Sequence, residues 1–261
     1  MWRLIAIVTL SALLLACSAS DDAGNNKADI KDQKVFRYAM SGSPTSLDPV
    51  QSGNVYANVI VSNVFDTLYN YKYLARPPEL KPGLAEAMPE VSDDGLVYTI
   101  PLKQGVLFAD DPAFPDGKGR EVTAEDFVYS IKRHFDPAAR PQGAWLWQDR
   151  IKGLDEWKAA GSDYSVDVEG VRALDRYTVR IELTRPYPQL LYTLAMGFSA
   201  VVPVEAVEAY GREFGIRPVG SGAFRLESFN TAKAVLVPNS NYRDEPFSLS
   251  AEGYDPATQA Y

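Results

Sequence analysis

Residues 105–136, GVLFADDPAFPDGKGREVTAEDFVYSIKRHFD, decide how the rest of the chain is read. The second half opens a helix. Thr123 stands at the cap position, and Asp126 follows three residues later in a capping-box pattern. Glu125 and Asp126 occupy the first turn and Lys132 and Arg133 the last, which suits the helix dipole. Phe127, Val128, Ile131 and Phe135 recur at helical spacing and predict one apolar face. Asp136-Pro137 ends the helix. Upstream, Pro115-Asp116-Gly117 is a turn that follows the apolar strand Val106-Leu107-Phe108.

Outward from this stretch the chain alternates short strands and short helices without regular βαβ order. That pattern predicts an α+β body. Residues 35–39 read as a first strand, and 41–49, SGSPTSLDP, as loop. A helix is expected within 53–69. Tyr69, Tyr71 and Tyr73 alternate with polar residues and read as a packed strand rather than a sugar platform. Ser92-Asp93-Asp94-Gly95 is a hairpin turn into a strand that ends near Pro101, because proline cannot donate to a ladder. Residues 166–183 form a hairpin around Asp175-Arg176. Helices are expected at 189–196 and at 203–210, the second stopped by Gly211. A last hairpin joins 218–229 to 234–238.

The chain has 261 residues, 46% of them hydrophobic, and a net charge of −8. That is ordinary globular composition, and no basic run marks a nucleic-acid surface. Residues 1–16 have a positive start at Arg3 and an apolar run too short to span a bilayer, which predicts a signal segment. It ends Leu14-Leu15-Ala16-Cys17, similar to a bacterial lipobox, so Cys17 is the expected lipidation site. Cys17 is the only cysteine, which excludes an intramolecular disulfide. Residues 17–34 are polar and read as a flexible tether. The folded body is expected over 35–246, and 247–261 reads as an irregular tail.

Catalytic chemistry is hard to assemble. The sole histidine, His134, falls inside the helix after Thr123 and reads as a partly buried structural residue. One His and one Cys cannot make a zinc cluster. No phosphate loop, nucleophile elbow or calcium loop is present. No cofactor, no metal and no enzymatic activity are expected, and a binding protein is favoured.

The quoted stretch resembles the signature segment of the family 5 extracellular solute-binding proteins, the peptide-binding components of ABC importers. Further motifs follow in family order. They include Ser41-Gly42-Ser43-Pro44, Asn63-Val64-Phe65-Asp66-Thr67-Leu68-Tyr69, and Pro82-Gly83-Leu84-Ala85-Glu86. Later come Leu183-Thr184-Arg185-Pro186, Pro218-Val219-Gly220-Ser221-Gly222, and Asn239-Ser240-Asn241-Tyr242. The resemblance implies a type II periplasmic-binding-protein-like fold of the large peptide-binding class, a mixed sheet with surrounding helices. Only the N-terminal of two lobes is expected here. The fold implied is a hinged receptor that closes on peptide.

By motif position, Ser41, Gly42, Ser43, Ser52, Gly53 and Trp145 are the implied ligand-binding residues. Core packing is the other reading of Trp145. The implied partners are di- or oligopeptides and a membrane permease. The implied state is a monomer, anchored through lipid at Cys17 on the periplasmic or extracellular face of a bacterial membrane. Nickel, haem, opines or oligosaccharides are alternative ligands within the family. A non-transport envelope or sensor module, or a non-functional fragment of such a receptor, is the competing reading. The chain departs from the family pattern in the length of 108–120 and in Pro101.

Overall fold

A computed structural model of the chain describes residues 34–257. The expected signal segment, Cys17, nearly all of the tether and the last four residues lie outside them. The chain divides into two units, Met1–Ala39 and Met40–Tyr261. In the first, 35–39 has no regular secondary structure, which corrects the expected opening strand. Alternation alone favours extended backbone, but a strand exists only where a ladder partner stands beside it.

The second unit is α+β. Its main sheet holds β3 (Glu90–Val91), β4 (Val97–Pro101), β5 (Val171–Asp175) and β6 (Thr178–Glu182), in the order β3-β4-β6-β5. Two smaller hairpin sheets pair β1 (Tyr69–Tyr71) with β2 (Leu80–Pro82) and β7 (Phe224–Phe229) with β8 (Ala234–Pro238). All the strand pairings among the described residues are antiparallel. Tyr98 and Ile100 pair with Ile181 and Val179 across β4 and β6, and all four are buried. Pro101 is the last residue of β4, opposite Thr178, where its missing N–H costs least.

Among the described residues five α-helices accompany the sheets: α1 (Val55–Val64), α2 (Ala124–Lys132), α3 (Leu154–Ala159), α4 (Leu190–Thr193) and α5 (Val204–Tyr210). Helix α2 is the signature helix. Its capping box forms, and the Asp126 carboxylate accepts from Thr123 N at 2.8 Å. Phe127, Val128, Ile131 and Phe135 are all buried, as the spacing predicts. So are Asp126, Ser130, Lys132, Arg133 and His134, of which Asp126 and Arg133 stand opposite the apolar face by helical period.

Each of these buried polar side chains has a partner. Arg120 forks between Asp126, at 2.7 and 2.8 Å, and Glu205 of α5, at 2.6 and 2.8 Å. Ser130 Oγ accepts from Val202 N at 2.9 Å. The Lys132 ammonium donates to the carbonyls of Tyr164 and Val166 and lies over the Trp157 ring. Arg133 makes a bidentate pair with Asp48 at 2.7 and 2.9 Å. The core therefore continues around α2, from the sheet on one side to the 46–53 loop on the other.

His134 is fully buried rather than partly so, enclosed by Trp147, Phe198 and Gly143. Its Nε2 lies 2.7 Å from the carbonyl oxygen of Phe198 and can donate to it. Burial pulls its pKa from the ordinary 6.5 down to about 4. Between those values the unfolded chain binds a proton that the folded chain refuses. This contribution to stability is full above about pH 6.5 and is lost as pH falls toward 4. It amounts to about 3 kcal/mol. Urea unfolding of the full chain at pH 7 and pH 4.5 should show a loss in the wild type that is smaller by about that amount in His134→Gln.

Candidate functional site

The site begins with the loop that Arg133 holds. Asp48, paired with Arg133, also accepts from Val50 N and starts the 3-10 turn Pro49–Gln51. Gln51 Nε2 donates to Ala139 O at 2.7 Å, and Gln142 N donates to Val50 O at 2.8 Å. The loop is thus fixed between α2 and the 137–143 segment. Ser52 is buried and donates its hydroxyl to Pro49 O, and Asn54 caps α1 by accepting from Ala57 N at 2.8 Å.

Helix α1 forms one wall of an open groove of about 960 Å³. Ser52, Gly53, Asn54, Asn58, Ser62 and Asn63 line this wall. Tyr71, Tyr73 and Lys81 of the first hairpin, residues 195–198 and several residues of the 242–252 segment also line it. The helix presents amides and hydroxyls to the groove beside Val55 and Val61, and the hairpin presents two aromatic rings and Lys81.

The groove contains two of the six expected ligand-binding residues, Ser52 and Gly53. Ser41, Gly42 and Ser43 fall elsewhere, the first two against Tyr56. Ser41 Oγ lies 3.1 Å from Tyr56 OH, and a Cβ on Gly42 would lie 2.4 Å from that ring. Ser43 Oγ donates to Thr231 O in the turn between β7 and β8. Trp145 is 60% exposed and does not line the groove, so core packing does not describe it. The core tryptophan in that segment is Trp147.

Sequence reasoning missed the charged residues of the groove. Arg243 grips Asp66 with two hydrogen bonds, at 2.8 and 3.2 Å, and donates Nε to Glu245 at 2.8 Å. Asp66 also accepts from Ser221 Oγ at 2.9 Å. Burial lowers the Arg243 pKa, but the bonds to Asp66 outweigh it and leave the group above its ordinary value. At the far end Glu252 pairs with Lys81 and accepts from Tyr73 N at 2.9 Å. Burial raises the Glu252 pKa, while Lys81 and the Tyr73 amide pull it lower and win. Asp66 lies in one motif visible in the sequence and Arg243 directly follows another, 239–242, but the pairing of Asp66 with Arg243 spans a separation of 177 residues.

The tyrosines also differ from expectation. Tyr69 is packed in the core, whereas Tyr71 is 45% and Tyr73 71% exposed on the groove. The reason is local: β1 ends at Tyr71 with only β2 beside it, and the contacts that follow hold the backbone at 73–74 and bury Ala75 but leave the Tyr73 ring bare. Among the described residues no group of three or more His, Cys, Asp or Glu side chains is placed to hold a metal ion.

Removing Asp66 would leave the Arg243 guanidinium without its main partner in a largely buried position. Asp66→Ala should lower the unfolding free energy by about 3 kcal/mol, and Asp66→Asn by less, as read from urea titrations of the full chain.

The sequence and the fold both match known proteins. A family model described as bacterial extracellular solute-binding proteins, family 5 Middle, matches residues 79–252. The glutathione-binding protein GsiB of Escherichia coli K12 is 27% identical over 234 residues, 90% of this chain and 38% of that protein. The oligopeptide-binding protein OppAIV of Borrelia burgdorferi superposes with a TM-score of 0.70 at 27% identity, over 81% of this chain and 40% of that one. The murein tripeptide binding protein MppA of Escherichia coli gives a TM-score of 0.65 at 28% identity, over 78% of this chain and 38% of that one. The chain thus spans about two-fifths of the length of these relatives. No helix among the described residues is long and apolar enough to cross a membrane. By its sequence motifs, its family match and its fold, the chain belongs to the bacterial extracellular solute-binding proteins of family 5.

Proposed function

We propose that the chain forms the peptide-contacting lobe of a receptor that delivers peptides to an ABC permease, held at the membrane by lipid on Cys17. The observation that carries this reading is the open groove beside α1. Its volume of about 960 Å³ suits a short peptide rather than a single small ion. One wall offers amide and hydroxyl groups, which can bond the repeating donors and acceptors of a peptide backbone without reading its sequence. The relatives named above are binders of glutathione, oligopeptides and a murein tripeptide, which share peptide chemistry.

In this reading Ser52 and Gly53 mark one end of the peptide path. Gly53 lies against Gln142, whose Oε1 would be 2.1 Å from an added Cβ, so a side chain there would displace Gln142. Ser41, Gly42, Ser43 and Trp145 form contacts outside the groove, reached when a larger assembly closes on the ligand. The lipobox-like end of the apolar N-terminal segment supports the anchor.

Two measurements test the proposal. A thermal melt of the full chain in detergent, with and without a pool of di- to pentapeptides, should rise in their presence. Ligand at a hundred times its dissociation constant adds about 2.7 kcal/mol. A melt indifferent to every peptide would overturn the peptide reading. Separately, the full chain expressed in a bacterium fed labelled palmitate should incorporate label, and Cys17→Ser should not. Equal labelling of both would refute the anchor.

A further inference from the structure

The charges at the hairpin end of the groove are all held in ion pairs, three carboxylates sharing two cations. Asp66, Arg243 and Glu245 form one paired group, and Lys81 and Glu252 form another. A charged ligand group entering there would have to break one of these pairs to find a counter-charge, and breaking a largely buried pair is costly. Aromatic surface stands directly beside them. Tyr71 and Tyr73 project from β1 and its extension, and Phe247, 67% exposed, faces the same groove. The Tyr71 ring lies 6.0 Å from that of Tyr192, tilted by 35°.

This surface is held in place. Tyr69 anchors the start of β1 in the core, and β1 pairs with β2 through Tyr71. The amide of Tyr73 is fixed by Glu252, and that of Leu74 donates to the Glu252 carbonyl at 2.8 Å. A tyrosine face fixed by its backbone loses little freedom when something stacks on it.

We propose that this end of the groove is an aromatic subsite, with Tyr71 and Tyr73 as its platform, that accepts a planar or large apolar side chain of a bound peptide. The proposal rests on the peptide reading above and adds a side-chain preference to it. A small side chain would leave both rings in water, and a charged one would meet only paired charges. An aromatic ring covers the tyrosines while the amides of α1 hold the peptide backbone.

Isothermal titration of the full chain with matched tripeptides, differing only in one residue as Phe, Ala, Asp or Lys, tests this. The Phe peptide should bind about tenfold tighter than the Ala peptide, and the Asp and Lys peptides no tighter than Ala. The double substitution Tyr71→Ala and Tyr73→Ala should bring the Phe-to-Ala ratio to about one. Tyr71→Phe with Tyr73→Phe should keep it. Both positions are exposed, and a matching thermal melt of each variant confirms that the fold is intact. Peptides that bind without a Phe preference, or a preference that survives the double alanine substitution, would overturn the subsite and leave the peptide reading standing. Failure of all four peptides to bind would overturn both.

Discussion

Arg133 and Asp48 face each other across the middle of the protein, both buried, joined by two hydrogen bonds of 2.7 and 2.9 Å. Arg133 ends the signature helix, and Asp48 starts the turn that leads to Ser52, Gly53 and α1. Taking two charges out of water costs several kcal/mol each, so the pair does not stabilise the fold simply by existing. What it does is fix position. With Arg133 buried in the core, Asp48 has one place to go, and the 46–53 loop follows it. The groove wall is then set by the helix and not by the loop's own preferences.

The same device recurs at the other walls. Arg243 ties the chain near residue 243 to Asp66 at the end of the α1 region, and Glu252 ties the segment after it to the first hairpin. Arg120 ties α2 to α5 through two carboxylates. Each contact joins segments far apart in sequence: Arg120, Arg133 and Arg243 each reach two or more acceptor atoms, and Glu252 takes two donors. Geometry of this kind resists sliding, which a purely apolar contact would allow. Close backbone approach completes it: a Cβ on Gly220 would lie 2.2 Å from the Val64 carbonyl oxygen, so the entry to β7 packs against the end of α1 without a side chain between them.

Local order was readable where a short-range rule applies. The capping pair Thr123 and Asp126, the stop at Asp136-Pro137, the Asp175-Arg176 hairpin turn and the end of β4 at Pro101 all depend on residues within a few positions of one another. The apolar face of α2 was readable for the same reason. Residues 35–39 and the tyrosines of 69–73 were misread because their state depends on what lies alongside. Alternation says that a segment is compatible with a strand. It does not supply the neighbouring strand, and it does not say which ring is covered.

The sequence by itself determined the family, the α+β class, the order of helices and hairpins, and the absence of a disulfide. These follow from motif order, local propensity and residue counts. Only the tertiary structure decided that Ser52 and Gly53 share a groove while Ser41, Gly42, Ser43 and Trp145 do not. It alone paired Asp66 with Arg243, buried the polar side of α2, and left Tyr71 and Tyr73 bare. The physical reason is range. Capping and turn formation are settled within a few residues of chain, whereas a groove is a space between segments brought together by folding, and its chemistry is fixed by which distant side chains pair with each other there.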